Sequence, residues 1–310
     1  MSRPFRFAAS AHQAASADEW RELARRVEGQ GFETLVVSDH LGAQLSPMPA
    51  LAVAAEATST LRVGTLVSCN DFRHPVVHAK EIATLDLLSG GRFEWGIGAG
   101  WLASEYAAAG MPFDPAGTRV DRMQESITLM KRYFTEETVE FSGRHYRTSG
   151  LAAEPKPLQR PHPPLLVGGA EPRVLAIAAR EADIVGIAPS PRGRRIGDRP
   201  PLETVEAAID RQLDDLRVAA GDRYLQLELN MVAFPVIVTN DRTERAERVA
   251  ANLGLEPEQV LASPHAWIGS VEQITAALLE YRERWGVSYW AIPAATSAVV
   301  APIVAQLAGT

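Results

Sequence analysis

The chain has 310 residues, 46% apolar and 22% charged, a balance that excludes a disordered or collagen-like polymer and supplies one large core. Lys plus Arg number 31 against 38 Asp plus Glu, a formal charge of −7, which argues against a broad nucleic-acid surface. Cys69 is the single cysteine, so an intrachain disulfide and a cysteine zinc cluster are excluded, and no apolar run reaches the roughly 18 residues of a membrane helix.

In chain order, short strand-like runs alternate with segments of helical period. Phe5 to Ser10 is the first run. Ser16 with Glu19 three residues later then makes a capping box, and Trp20, Leu23 and Val27 share one helical face before Gly29 and Gly31. The pattern repeats with a strand at 33–39 and an Ala-rich helix at 48–58, then a strand at 61–68 and a helix at 76–89. A strand at 92–98 precedes a long helix in which Val120, Met123, Ile127, Met130 and Phe134 recur at spacings of three and four. The second half continues with strands at 164–169, 183–188, 229–238 and 286–292, and helices at 172–181, 202–219, 241–252 and 297–307. Pro235 is the weak point of the seventh strand, because it removes one ladder donor.

Strands joined by helical crossovers must run parallel, and eight such units close into a (β/α)8 TIM barrel, a single α/β domain over 1–310. The rival, an open doubly wound sheet, calls for a Gly-rich turn after the first strand, and the segment "AASAHQAAS" has no glycine. Two stretches read as loops at the barrel end. Segment 135–163 has a hairpin-like alternation around Gly143 and then a proline-rich run, and segment 189–201 carries Arg192, Arg194, Arg195 and Arg199. The amino terminus lacks the apolar core of a secretion signal, so the chain reads as soluble and cytoplasmic, with no membrane partner.

In a barrel of this kind chemistry sits where strands end, so polar residues just after each apolar run are the candidates. These are His12 after the first strand, and Asp39 and His40 after the second. Ser68, Cys69, Asn70 and Asp71 follow the third, and Gly98, Gly100, Trp101 and Glu105 follow the fourth. Side chains alternate along an extended backbone, so only one of Asp39 and His40 can face the axis, and His40 is the expected proton carrier, with His12 second. Gly168 and Gly169, followed by Ala170, lie between a strand and a helix. They suit either close packing or approach of backbone amides to an anion. Cys69 reads as a small buried side chain. No metal is expected.

The segment "DFRHPVVHAKEIATLDLLSGGRFEWGIGAGW" (71–101) resembles the signature of the bacterial luciferase-like flavin or deazaflavin (coenzyme F420)-dependent oxidoreductases. "SDH" (38–40), "GMPF" (110–113), "PHPPLLVGG" (161–169) and "IGSVEQITAALLEYRERWGVSYWAI" (268–292) extend the likeness over nearly the whole chain. The resemblance implies a barrel, usually oligomeric and here expected as a homodimer, that binds coenzyme F420 or FMN at its carboxyl end. It implies hydride transfer between the deazaflavin C5 and a small organic substrate. The alternative is an FMN-dependent monooxygenase served by a flavin reductase. It further implies cofactor contacts from Asp39, Leu66, Val67, Ser68 and Asn70, with a non-prolyl cis peptide near Leu66–Val67. Gly98 would lie against the cofactor and Gly168, Gly169 and Ala170 would hold its phosphate. Trp101 and Glu105 are expected at the substrate. The family's sugar-phosphate dehydrogenases carry glutamate where Trp101 stands, so an apolar or planar substrate is expected instead. The arginines of 189–201 would attract the anionic tail of the deazaflavin.

Overall fold

The computed structural model describes residues 3–189 and 204–310. Its strands are β1 (Arg6–Ser10), β2 (Thr34–Val37), β3 (Arg62–Thr65), β4 (Ser68–Cys69), β5 (Phe93–Gly98), β6 (Thr138–Ser142), β7 (Arg147–Ala152), β8 (Leu165–Gly169), β9 (Ile184–Ile187), β10 (Glu228–Val232), β11 (Val236–Val238), β12 (Trp267–Gly269) and β13 (Val287–Pro293). The helices are α1 (Ala17–Gly29), α2 (Pro47–Ala57), α3 (Pro75–Leu88), α4 (Ala103–Ala108), α5 (Ala116–Thr135), α6 (Pro172–Glu181), α7 (Val205–Ala220), α8 (Arg242–Leu253), α9 (Pro257–Leu261), α10 (Val271–Trp285) and α11 (Ser297–Leu307). Strand order β3-β2-β1-β13-β10-β9-β8-β5-β4, with β3 also pairing β5, closes a parallel barrel in which β3 and β4 share one of eight staves.

Local sequence explains the elements. Ser16 caps α1 by accepting from the Glu19 amide at 3.1 Å, and Trp20, Ala24 and Val27 bury the inner face. On α5 the five residues spaced by three and four, Val120 to Phe134, are all buried. Two expected strands are interrupted. The third breaks at Leu66–Val67, whose peptide is cis, and resumes as β4. The seventh, expected to run to 238, ends at Val232. Pro235 lacks a ladder donor, and the chain restarts as β11, which leaves the barrel to pair with β12. The expected hairpin around Gly143 is present as the antiparallel β6–β7 ribbon.

Alternation along the strands divides the core in two. Phe7, Ala9, Leu35 and Val37 face the helices, whereas Ala8, Val36, Leu166, Ile184, Tyr289 and Ala291 line the barrel interior. The interior closes at the amino ends of the strands with charge. Arg6 meets Glu33 at 2.7 Å and Glu228 at 2.6 Å, and also pairs with Glu94, which Arg62 reaches at 2.6 Å. The Arg6 guanidinium lies 4.4 Å from the Tyr289 ring centre. Burial alone would push Arg6 down, but Glu94, Tyr289, Glu228 and Glu33 outweigh it and hold it above the ordinary arginine value. Burial pushes the Glu94 carboxyl up, and its two arginines overcome that and hold it low.

Among the described residues no helix is long and apolar enough to cross a membrane.

Candidate active site

At the carboxyl ends of the strands the inner cluster ends in aliphatic carbon. Leu66 and Val67 pack on the inner cluster yet stay partly exposed. Val67 projects into space that three glycines leave free. A Cβ on Gly98 would lie 2.8 Å from Val67 Cγ2, one on Gly168 3.3 Å from Cγ1, and one on Gly96 3.0 Å from Cγ1 and 2.2 Å from the Thr65 carbonyl oxygen. Gly98 is therefore a buried residue that admits Val67.

Asp39 and His40 turn to different neighbours, as alternation requires. The buried Asp39 carboxylate pairs with Arg73 and accepts from the Cys69 amide at 3.1 Å, tying β2 to β4. His40 meets a carboxylate on α4: its Nδ1 lies 2.9 Å from Glu105 Oε2, and Glu105 Oε1 accepts from the Leu41 amide at 3.2 Å. Glu105, expected at the substrate, is thus occupied in holding His40. The Trp101 ring stands edge-on to His40 at 6.1 Å and is 61% exposed, a rim residue.

His12 lies between two hydroxyls, with Nε2 3.2 Å from Ser10 Oγ and Nδ1 3.2 Å from Ser38 Oγ. Burial, and secondarily the nearby His40, lower its pKa below the ordinary histidine value, which favours the neutral ring.

Ser68 and Asn70 are enclosed, at 0% and 2% exposure, and among the described residues neither Ser68 Oγ nor Asn70 Oδ1 has a hydrogen-bond partner. Asn70 Nδ2 reaches Asp71 at 3.4 Å and Tyr146 at 3.5 Å. Cys69 Sγ lies 3.2 Å from the Tyr106 hydroxyl, which donates to Asp71 at 3.1 Å, and Arg122 holds Asp71 at 2.8 and 2.9 Å. Burial pushes the Cys69 thiol up, so it is no ready nucleophile. Gly100, at φ +76°, lets Tyr106 approach, since a Cβ there would meet its hydroxyl oxygen at 2.0 Å.

Gly168, Gly169 and Ala170 are partly exposed at the end of β8, ahead of α6. Gly169 has a packing reason of its own, because a Cβ would stand 2.5 Å from Val174 Cγ1. Both uses of the segment weighed from sequence thus remain physically compatible. The four arginines of 189–201 lie outside the described residues.

The structure brings His12, His40, Leu66, Val67, Trp101 and Glu105 to one barrel mouth and turns Asp39 outward beside them. Sequence reading passed over Ser10, Ser38, Gln44 and Arg73. Period-two alternation from the inner residues Ala8 and Val36 points to Ser10 and Ser38, and Arg73 lies within the signature segment.

A family model described as luciferase-like monooxygenase matches residues 1–289. An F420-dependent glucose-6-phosphate dehydrogenase from Intrasporangium calvum is 34% identical over 234 residues, 70% of this chain and 68% of that protein. An FMNH(2)-dependent dimethylsulfone monooxygenase from Pseudomonas putida is 27% identical over 276 residues, 86% of this chain and 70% of that one. Among solved structures, monooxygenase RslO1 from Streptomyces bottropensis superposes with a TM-score of 0.76 at 24% identity, over 97% of this chain and 98% of its own. The coenzyme F420 dependent tetrahydromethanopterin reductase from Methanopyrus kandleri also gives 0.76, at 18% identity over 98% of each chain. A closed barrel of eight staves, the 71–101 signature and a match over almost the whole chain agree: the protein belongs to the luciferase-like monooxygenase family.

Proposed function

We propose that the protein is a deazaflavin (coenzyme F420)-dependent oxidoreductase that exchanges a hydride with a small organic substrate at the barrel mouth. The observation that carries this reading is the pair of histidines in unlike settings at the barrel mouth. His40 has a carboxylate partner, Glu105, at 2.9 Å. His12 has hydroxyl partners, which suit a neutral ring. Hydride exchange at carbon is accompanied by a proton change on the substrate, and such a pair can supply or accept that proton.

Several residues fit a flat, phosphorylated cofactor. Leu66 and Val67 offer a partly exposed aliphatic surface for a ring, and the partly exposed backbone at Gly168, Gly169 and Ala170 could hold a phosphate. Ser68 and Asn70 would contribute through the backbone, their side chains being enclosed. When bound, a deazaflavin supplies a carbon that gives or takes a hydride. The protein then orients the substrate against Trp101, keeps His40 in place through Glu105, and moves the proton.

The second reading, an FMN-dependent monooxygenase with a partner reductase, is favoured by the dimethylsulfone monooxygenase relative, which aligns with a larger share of this chain than the dehydrogenase does. Mass spectrometry of cofactor retained on purified protein, with titration of the apoprotein by F420 and by FMN, separates the two. Tight FMN binding with no affinity for F420 would overturn the first. A homodimer belongs to the same reading: Val77 and Leu88 on α3 are 52% and 73% exposed, and sedimentation equilibrium checks it.

A further inference from the structure

Beside His12 the backbone fixes the orientation of one side-chain amide. Gln44 Nε2 donates to the Ser38 carbonyl oxygen at 2.8 Å. A carbonyl can only accept, so the amide nitrogen must stand there, and Gln44 Oε1 must be the atom 3.2 Å from Ser38 Oγ. Ser38 has one hydroxyl proton and two neighbours at 3.2 Å, Gln44 Oε1 and His12 Nδ1; Oε1 has no other donor among the described residues whereas Nδ1 can carry its own proton, so pairing every group assigns the Ser38 proton to Oε1. Toward His12 Nδ1, Ser38 Oγ can therefore only accept, so Nδ1 carries a proton. In the neutral ring Nε2 is then the lone pair, and its neighbour Ser10 Oγ is the donor.

Ser10 ends β1 two residues beyond Ala8, which lines the barrel interior, so alternation aims its side chain into the mouth. Ser38 stands in the same relation to Val36 beyond β2. Once Ser10 donates to His12, its remaining lone pairs are free to accept from a bound molecule.

We propose that Ser10, His12, Ser38 and Gln44 form a one-way proton relay in which His12 is held as the Nδ1–H tautomer and Ser10 Oγ is the atom that meets the substrate. The use of the relay rests on the oxidoreductase reading above, but its wiring does not. As a bound alcohol is oxidised, its C–H bond breaks and the hydride, with both electrons, passes to a two-electron acceptor of the deazaflavin class. Its O–H bond breaks as C=O forms. That proton joins Ser10 Oγ while the proton of Ser10 joins His12 Nε2. Ser10 ends neutral and His12 ends as an imidazolium whose Nδ1–H still points at Ser38. Reduction runs the same transfers backward. Ser10 would be a catalytic residue, whereas Ser38 and Gln44 act through His12 as positioning residues.

Long-range proton–nitrogen correlation NMR on uniformly labelled apoprotein reads the tautomer directly, the His12 signals being assigned by their loss in His12→Asn. At pH 8 we expect a pyrrole-type Nδ1 and a pyridine-type Nε2. Ser38→Ala should move the tautomer ratio at least about tenfold toward Nε2–H, because Ser10 Oγ becomes the nearest acceptor, and Gln44→Leu should move it the same way by freeing the Ser38 proton. A wild-type Nε2–H ring, or a ratio unchanged in both variants, overturns the wiring. In F420-loaded protein offered secondary alcohols of three to eight carbons, Ser10→Ala should lower kcat by about 10²-fold with cofactor affinity retained, and Ser10→Thr should restore most of it. Equal turnover by Ser10→Ala, or oxidation of none of these alcohols by F420-loaded wild type, overturns the use assigned to Ser10. Failure to bind F420 at all overturns the deazaflavin reading and the use assigned to Ser10, while the tautomer is decided by the spectrum alone.

Discussion

The two ends of the barrel spend charge in opposite ways. At the amino ends of the strands Arg6, Arg62, Glu33, Glu94 and Glu228 satisfy one another, and Tyr289 lies across them. At the carboxyl ends Asp39 and Asp71 are paired with Arg73 and Arg122, but the two histidines are held lightly: among the described residues His40 has one carboxylate, and His12 has two hydroxyls and no carboxylate at hydrogen-bond distance. A group whose charge is needed by its neighbours cannot give up a proton without loosening the fold. One tied by a single contact can. The closed end is thus suited to stability and the open end to chemistry, which matches the usual division of labour in such barrels.

The largest expected effect tests the closed end. Arg6→Met leaves Glu94 and Glu228, both nearly inaccessible, without their shared cation, so urea unfolding should show a loss of about 3–5 kcal/mol. A loss under about 1 kcal/mol would erase the contrast. At the open end, His40→Asn should lower turnover by about 10²-fold and leave the melting temperature nearly unchanged. Turnover at the wild-type rate with an unaltered pH profile would remove His40 from the pair and leave the proton to Ser10 and His12 alone.

His78, buried in α3 with Arg73 nearby, sharpens the comparison from behind the mouth. Burial first, and then Arg73, depress it from the ordinary 6.5 to about 3. The unfolded chain takes up this proton before the folded one does. The stability is therefore fully present above pH 6.5 and is lost as pH falls toward 3, at up to about 1.4 kcal/mol per pH unit. His78→Gln, unable to titrate, should flatten the acid limb of stability against pH, and an unchanged slope would assign that limb to other groups. The smallest effect is expected of Glu105→Gln. The amide oxygen still accepts from His40 Nδ1 but brings no charge, so turnover should fall by only about tenfold, with little change in KM. Wild-type kinetics would show that the carboxylate is not needed to hold His40.

Much of the barrel was legible because its strands and helices announce their periods. Ser16 caps α1 and the spaced residues of α5 are buried, although the Glu19 side chain accepts from the Ala15 amide and leaves the expected capping box half formed. The break at Leu66–Val67 was legible only through the family resemblance, and that at Pro235 only through the proline. A run such as "LRVGTLVS" has strand composition throughout, and only the tertiary setting makes it bend. Proline gave the warning for the second break, but not that the chain would restart beside β12. At the site, alternation sends Asp39 and His40 to different neighbours, yet gives no sign that Glu105 and Arg73 would be those neighbours. Those contacts join residues 65 and 34 positions apart. Ser10, Ser38 and Gln44 were silent for another reason: their meaning lies in who donates to whom, and no spacing encodes that.

Val67 reaches into room left by Gly96, Gly98 and Gly168, and this makes the four positions a unit for any attempt to diversify the protein. An alanine at Gly98 alone meets Val67 Cγ2, and one at Gly168 presses on Cγ1. Either should become acceptable once Val67 is trimmed to alanine, whereas Gly96 should not, because its obstacle is the Thr65 backbone oxygen. Melting temperatures of the paired variants would read this directly, with rescue expected for Gly98→Ala in the Val67→Ala background and none for Gly96→Ala. A library varying these sites one at a time would record all three glycines as immutable, and would miss that the depth of the mouth is negotiable through one side chain.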